Sequence, residues 1–401
     1  MDSFVSFDAA RTAVRCLAPA PVAERVSLDA VLGRTLAADI VAHEPMPPFD
    51  TSAMDGFAVH ADDLARLPGR LRVGGTVHAG HAHAPAVAPG VAVAVMTGAV
   101  LPPGAAAVVP VEWTTRDGDR IAIDRTTEAG KHVRRAGEAV AAGAVVLRAG
   151  SVATPGVVAL LASVGASEVA VARRPHVAVV ATGDELVEAR DTPGPGQIRN
   201  SNGPGLAAQV TAAGGAVVGP LVARDTADSV AAALDADADL FVFAGGVSMG
   251  ERDLVRTELE GRGVCWAFWQ VRQRPGKPLA AGRLADGRPV VALPGNPVSA
   301  AVCFEVYVRP LLAASLGRVR VHSPTLPARL AVAVAKAPGL HTFARVTAAP
   351  DDEGRLIVTP AGLQGSHAVP SLAHSDGLAH LPAAWDEAPA GALVAFERWA
   401  W

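Results

Sequence analysis

The chain has 401 residues, half of them hydrophobic and 18% charged, with a formal net charge of −4. That length predicts roughly two to four domains, each with its own core, and no run of about 18 residues is free enough of charges and breakers to span a bilayer. The slight negative charge argues against nucleic acid or an anionic membrane as a partner, so an anionic ligand must be held by local groups.

The N-terminal MDSFVSFDAARTAVRCL carries acids where a signal peptide would be basic; it reads as an amphipathic helix, and the expected location is the cytoplasm. The first forty-odd residues look helical, with a second short helix over Ser27–Gly33. From His43 to about Gly143 the texture is all-β: short apolar runs such as Arg72-Val73, Val91–Met96 and Val108–Val111, broken by Gly and Pro. Residues 143–171 read as strand, helix (Thr154–Val164, Thr154 as N-cap and Pro155 at the first position) and strand. From Pro175 an α/β alternation begins. His176–Ala181 is a continuous apolar run suited to a parallel strand buried on both faces. Helix Ser201–Ala213, strand Ala216–Val222, helix Thr226–Leu234 behind Asp225 as N-cap and strand Leu240–Ala244 follow. Helix Glu251–Glu260, strand Pro289–Leu293 and helix Pro297–Leu312 complete a pattern that predicts a doubly wound parallel sheet. After Gly317 the texture is β to the C-terminus.

Ligands of open parallel sheets bind beyond the carboxyl ends of the strands. Three such ends run into glycine-rich or polar loops: Thr182-Gly183-Asp184-Glu185, Gly245-Gly246-Val247-Ser248-Met249-Gly250, and Pro294-Gly295-Asn296-Pro297-Val298-Ser299. Each feeds a turn or helix start whose free N–H groups can cradle phosphate. Any one of them could be only a tight turn, and Asp184, Glu185, Asp225 and Asp253 could be ordinary helix-start acids. Their convergence on one predicted edge favours Mg²⁺ held by carboxylates beside a phosphate cradle. The chain has only three lysines, at 131, 277 and 336, against an Arg-rich background. Lys277 stands between Pro275-Gly276 and Pro278, where a compact ammonium is not replaced by Arg; with Arg274 it reads as an anion clamp, against the commoner alternative of a solvated basic turn. His78, His81 and His83 lie in an Ala/Gly/Pro-rich tract without a fourth ligand and read as an exposed loop. The three cysteines, Cys16, Cys265 and Cys303, form no C-x-x-C pair, which suits a reducing compartment.

Together these segments resemble the molybdopterin molybdenumtransferases, the MoeA family to which the gephyrin E domain is related. The likeness spans the whole chain and rests on PPFDTSAMDGFAV (47–59), MTGA (96–99), RRAGE (134–138), ATGDEL (181–186), NSN (200–202), RD (224–225), AGGVSMGERD (244–253), RPGKPLAAG (274–282), LPGNPVSA (293–300) and QGSHAVPSLAHSDGL (364–378). The resemblance implies a multidomain α/β plus β chain. Its parts would be a mixed linking domain (1–45 and 143–171), a β-rich arm (46–142), a central doubly wound, molybdopterin-binding-like α/β domain (172–317) and a C-terminal β-barrel-like domain (318–401). It implies a homodimer in which the arm reaches the partner's site, and insertion of molybdate into adenylated molybdopterin with Mg²⁺-dependent release of AMP. By position, Asp55, Thr97, Glu185 and Lys277 would be catalytic. Asp225, Asp253 and Glu185 would hold the metal. Thr182, Gly183, Gly245, Gly246, Ser248, Gly250, Arg274, Pro294, Gly295, Asn296 and Ser299 would bind the pterin nucleotide. The molybdopterin adenylyltransferase and molybdoenzyme-maturation proteins are the implied partners. Three positions depart from the family pattern: Ala139 and Ala106 where it has Asp, and Arg274 as the first basic residue of K-P-G-K; the two alanines favour the rival reading of a weakly active or scaffolding paralogue, against which the retained Asp55, Asp225, Asp253 and Lys277 speak. A nicotinamide-dependent oxidoreductase is disfavoured because Thr182-Gly183-Asp184-Glu185 stands where G-x-G-x-x-G would be needed.

Overall fold

The computed structural model describes residues 4–246 and 254–400. The chain divides into two compact units, one comprising 1–38, 149–154 and 168–401, the other 39–148 and 155–167.

The first unit is built on a six-stranded sheet. Its elements in chain order are β1 (His176–Thr182), α1 (Asn202–Ala213), β2 (Ala216–Ala223), α2 (Ala227–Leu234), β3 (Leu240–Ala244), α3 (Leu254–Gly261), β4 (Cys265–Trp269), β5 (Ala280–Arg283) and β6 (Pro289–Leu293). The strand order is β2-β1-β3-β6-β5-β4. β2, β1, β3 and β6 run parallel, whereas β5 is antiparallel to both β6 and β4. The predicted parallel sheet is therefore a mixed one, because β5 returns directly after a short loop instead of through a crossover helix.

Alternation along each central strand builds two cores. Val177, Val179, Val242, Val291 and Leu293 face α1 and the helix after β6, whereas Ala178, Val180, Phe241, Phe243 and Val290 face α2 and α3. Each buried Val or Phe contributes about 1.5–3 kcal/mol, so the carboxyl rim of the sheet stands on a rigid base. The helix after β6 runs as α4 (Pro297–Cys303), a π turn (Phe304–Val308) and α5 (Arg309–Ser315). By length and hydropathy it could cross a membrane, but 89% of it is buried inside the protein. An N-terminal helix, Phe7–Cys16, lays Phe7, Ala10 and Val14 on the same core, with Ser6 capping it through Ala9 N–H.

Strands Thr325–Leu330, His341–Pro350, Leu356–Pro360, Gly377–Leu381 and Leu393–Arg398 close on themselves into a barrel. A two-residue strand, Gln273–Arg274, is added to this barrel in parallel with His341-Thr342. The segment before Pro275 is thus sewn to the barrel.

The second unit carries a six-stranded sheet in the order Ala105–Pro110, Gly56–His60, Val91–Val95, Gly69–Val77, Arg120–Ile123, Thr114–Asp117. His78, His81 and His83 lie exposed in the loop that follows Val77. Helix Pro155–Ser163 belongs to this unit.

Two local expectations need correction. The chain near residue 25 is a strand, Ala23–Ser27, paired with Glu168–Ala172, and the second helix is a single 3-10 turn, Leu28–Ala30; partner pairing outweighs the helix-compatible residues Ala23 and Glu24. The cap of α2 is Thr226, whose hydroxyl accepts from Ser229 N–H, and not Asp225.

Candidate functional site

The glycine loops meet at the carboxyl rim of the parallel strands. Thr182 ends β1, is 8% exposed, and donates its hydroxyl to the Ala244 carbonyl of β3 at 3.4 Å. Gly245 follows at φ +102, and a Cβ there would stand 2.5 Å from Thr182 Oγ1. A Cβ on Gly295 would lie 3.4 Å from Gly245 Cα, so the β3 and β6 loops are packed backbone to backbone. Asn202 Nδ2 donates to the Gly295 carbonyl at 2.7 Å and ties the start of α1 to the same place. Asn296 caps α4 with Pro297 at its first position. Ser248, Gly250 and Asp253 lie outside the described residues.

The acids stand at the other side of this rim. Asp184 and Glu185 follow β1, and Asp225 follows β2; all three are exposed. Asp225 N–H donates to Asp184 Oδ1 at 3.1 Å, and Arg224 donates to the Asp184 carbonyl at 2.9 Å. The Glu185 carboxylate folds against Gly183, where a Cβ would meet it at 2.4 Å. Two free carboxylates on neighbouring strand ends are hard oxygen donors of the kind Mg²⁺ takes. Among the described residues no three acid, His or Cys side chains form a closed metal cage; the third acid expected for the metal, Asp253, is outside them.

Lys277 belongs to a different wall. A cavity of about 540 Å³ opens between the loops of the α/β domain and the barrel, lined by Arg274, Lys277, Asn296 and Ser299 on one side and Arg345, Gln364 and Ser366 on the other. None of its described lining residues is acidic. Ser299 is 3% exposed at the first turn of α4. The ammonium of Lys277 lies 5.1 Å from the centroid of the Phe4 ring, a cation–π contact. Arg345 is 1% exposed, and among the described residues its guanidinium reaches only neutral acceptors: Ser371 Oγ at 3.1 Å and the Leu363 and Gly365 carbonyls at 3.1 and 3.2 Å. Burial draws its pKa down to about 10, which leaves it cationic at neutral pH. Gln364 locks the Arg345 backbone at both its N–H and its carbonyl. Three cations with no carboxylate between them make a receptor for an oxyanion.

In the second unit Asp55 accepts from Thr97 N–H at 2.6 Å and Thr97 Oγ1 at 2.7 Å; these two bonds, the backbone one foremost, hold its carboxyl below the usual range although it is fully open to solvent. The flanking segment is stitched by Asp50, which takes Arg135 Nη1 at 2.6 Å and Ala136 N–H at 2.8 Å. Asp55 is thus an ionised acceptor on a braced turn.

The structure therefore assembles Thr182, Gly183, Gly245, Gly246, Pro294 and Gly295 at one rim, with Asn296 and Ser299 leading into the cavity that Arg274 and Lys277 line. Asp225 does not join Lys277. Asp225 follows β2 and the Lys277 loop leads into β5, four strand spacings or roughly 19 Å across the sheet, so a ligand touching both must be long. Gln364 and Ser366 fall in the QGSHAVPSLAHSDGL motif without having been given a ligand role, and Arg345 lies in no motif: an Arg in a barrel strand reads as a surface residue until the fold turns it inward.

An α/β domain whose glycine rim leads into a cation-lined cavity beside a barrel defines a multidomain protein fitted to an anionic ligand. Family models match in series: the MoeA N-terminal region (domain I and II) over residues 5–165, the probable molybdopterin binding domain over 178–314, and the MoeA C-terminal region (domain IV) over 327–399. Molybdopterin molybdenumtransferase 2 of Mycobacterium tuberculosis is 39% identical over 91% of this chain and 92% of its own length. The molybdopterin molybdenumtransferase of Synechococcus elongatus is 39% identical over 92% and 93%. A molybdopterin biosynthesis MoeA protein from Pyrococcus horikoshii superposes with a TM-score of 0.82 at 32% identity, covering 98% of this chain and 99% of that one. The chain belongs to the molybdopterin molybdenumtransferase (MoeA) family.

Proposed function

We propose that this chain is the transferase of molybdenum cofactor biosynthesis that inserts molybdate into adenylated molybdopterin and releases AMP. The observation that carries this reading is the cavity that presents Arg274, Lys277 and Arg345 with no acidic residue in its lining, next to the glycine rim. Molybdate and the pyrophosphate of the nucleotide are both anions. Holding them close in a poorly solvated site costs several kcal/mol unless cations and N–H groups neutralise them. In this reading the glycine loops and Asn296 take the pterin nucleotide, and Ser299, Lys277 and Arg274 take the oxyanions. The acids at the ends of β1 and β2 would meet the substrate only through Mg²⁺, on the side of its phosphates turned away from the cavity's cations. Water opens the phosphoanhydride to give the pterin phosphate and AMP, and the two dithiolene sulfurs replace two oxygens of molybdate, which take up the thiol protons and leave as water.

Glu185, Asp225 and Asp253 would hold Mg²⁺, which when bound neutralises charge on the phosphoanhydride. Asp55, ionised and braced by Thr97, acts as an orienting acceptor brought to the site by a second protomer of a homodimer. The four-part division set out from the sequence, a cytoplasmic location and encounters with the adenylyltransferase and maturation proteins complete the proposal. Ala139 and Ala106, where the family pattern has Asp, both belong to the second unit, and Ala139 is exposed there. Incubation with adenylated molybdopterin should yield AMP only when molybdate is added, with the metal-loaded pterin seen by mass spectrometry. Equal AMP release without molybdate, or none with it, refutes the reading.

A further inference from the structure

The loop that presents Arg274 and Lys277 has almost no regular structure of its own: two residues of strand, then Pro275-Gly276-Lys277-Pro278. Its ends are joined, since Val271 N–H and Leu279 N–H both donate to the Lys277 carbonyl at 3.0 Å. Its crown is held from beneath by a buried amide. Gln273 is 1% exposed, and its Nε2 donates to the Pro275 carbonyl at 3.1 Å, the Gly276 carbonyl at 3.3 Å and Cys303 Sγ at 3.3 Å. Its Oε1 accepts from the hydroxyl of Tyr307, itself 1% exposed, on the π turn after α4. The fit is close. Gly276 stands at φ +96, and a Cβ there would lie 2.2 Å from Cys303 Sγ and 2.6 Å from Gln273 Nε2.

A buried amide is costly unless every donor and acceptor is used, and a fully used amide permits one backbone arrangement. Here the donors of one amide are spent on consecutive carbonyls of the loop, and its acceptor is fixed by a hydroxyl on the core helix. Resting on the function proposed above, we propose that Gln273 and Tyr307 are positioning residues for oxyanion binding. By fixing the backbone at 275–276 they set where the Arg274 and Lys277 cations stand. Tyr307 does not line the cavity, and although Gln273 borders it, the polar atoms of its amide are spent on the loop carbonyls, Cys303 and the tyrosine hydroxyl. The device links the interior of α4–α5 to the anion wall.

The test uses the full-length protein with molybdate alone as the titrant, and then turnover with adenylated molybdopterin. Tyr307→Phe removes one oxygen, and Gln273→Met keeps the side-chain volume while removing the amide. Each is expected to weaken molybdate binding and to raise the KM for molybdate by about tenfold, while the KM for the adenylated pterin and the kcat at saturating molybdate stay within about twofold. The double variant should lose less than the two single losses combined, because both remove one shared device. Should Tyr307→Phe fail to fold, Gln273→Met carries the same reading. A molybdate KM at the wild-type value in the folded variants, or a parallel rise in both KM values, overturns the inference. Lys277→Ala run alongside separates the two claims. If it binds molybdate normally the proposed function fails, whereas if it loses molybdate and the Gln273 and Tyr307 variants do not, only the positioning role fails.

Discussion

Removal of the Lys277 ammonium by Lys277→Ala probes the anion wall with little disturbance of the fold. The side chain is exposed, makes no ion pair among the described residues, and its ammonium touches only the Phe4 ring. Truncation therefore costs at most about 1 kcal/mol of stability, the worth of one exposed cation–π contact. The effect on an oxyanion is larger. Two unit charges 4 Å apart interact by about 4 kcal/mol at an effective dielectric of 20. A dianion raises this, and the openness of Lys277 to water and salt lowers it, which leaves a net loss of about 2–3 kcal/mol, or roughly 30- to 150-fold in Kd. Arg274 and Arg345 remain, so binding is weakened and not abolished. Lys277→Arg should recover part of the loss, because charge is kept while the compact ammonium is replaced by a planar fork. The assay is calorimetric titration with molybdate at two salt concentrations, with thermal unfolding as the fold control. A Lys277→Ala protein that binds molybdate within twofold of wild type would refute the reasoning.

Other consequences follow from the same geometry. Asp55→Asn places an amide where two donors from Thr97 point, so turnover should fall by about 100-fold or more while thermal stability hardly moves; wild-type turnover in this variant would remove Asp55 from the site. If Asp55 completes a partner's site, mixing Asp55→Asn with Lys277→Ala protomers should restore about a quarter of wild-type activity through mixed dimers carrying one intact site, and no recovery after subunit exchange would contradict the shared site. Burial, with His380 and Arg11 nearby, pulls the His341 pKa down from 6.5 to about 3. A depressed histidine stabilises the fold above its unfolded pKa and loses that contribution as pH falls, so stability should drop by about 2 kcal/mol between pH 7 and 5. His341→Phe, at a position packed against Phe7 and Phe343, should flatten that part of the urea-midpoint profile; an unchanged slope would show that His341 is not the group responsible. Gly276→Ala should cost about 2–3 kcal/mol, from the left-handed φ and the clash with Cys303, and a thermal midpoint equal to wild type would show that the loop is not pressed onto Cys303.

Much of this was legible in the sequence because the relevant signals are local. A run such as His176-Val-Ala-Val-Val-Ala-Thr182 suits a buried parallel strand, and each of the three strand ends announces its loop with glycine, the third with Pro and Asn as well. The family motifs marked Lys277, Asp55 and the glycine rim. What escaped depends on distant pairing. The antiparallel β5 is short and Ala-Gly-rich, with no alternation that would distinguish its direction. Ala23–Ser27 becomes a strand only because Glu168–Ala172 lies beside it. Arg345 reads as one more arginine in an arginine-rich chain; its significance comes from a barrel wall that buries the guanidinium among neutral acceptors at the mouth of a cavity formed with a loop some 70 residues earlier in the chain. Gln273 likewise looked like the middle of a basic turn, since its partners Tyr307 and Cys303 are 34 and 30 residues away.

The central claim is that the cation-lined cavity between the α/β loops and the barrel is where the metal oxyanion sits. Crystals of the protein soaked with tungstate, a heavy isostere of molybdate, would locate it by anomalous scattering. The account predicts a peak within contact distance of Lys277 and Arg274, on the side of the cavity that Arg345 faces. A peak at the acids of Asp184, Glu185 and Asp225, or nowhere in the cavity, would contradict it.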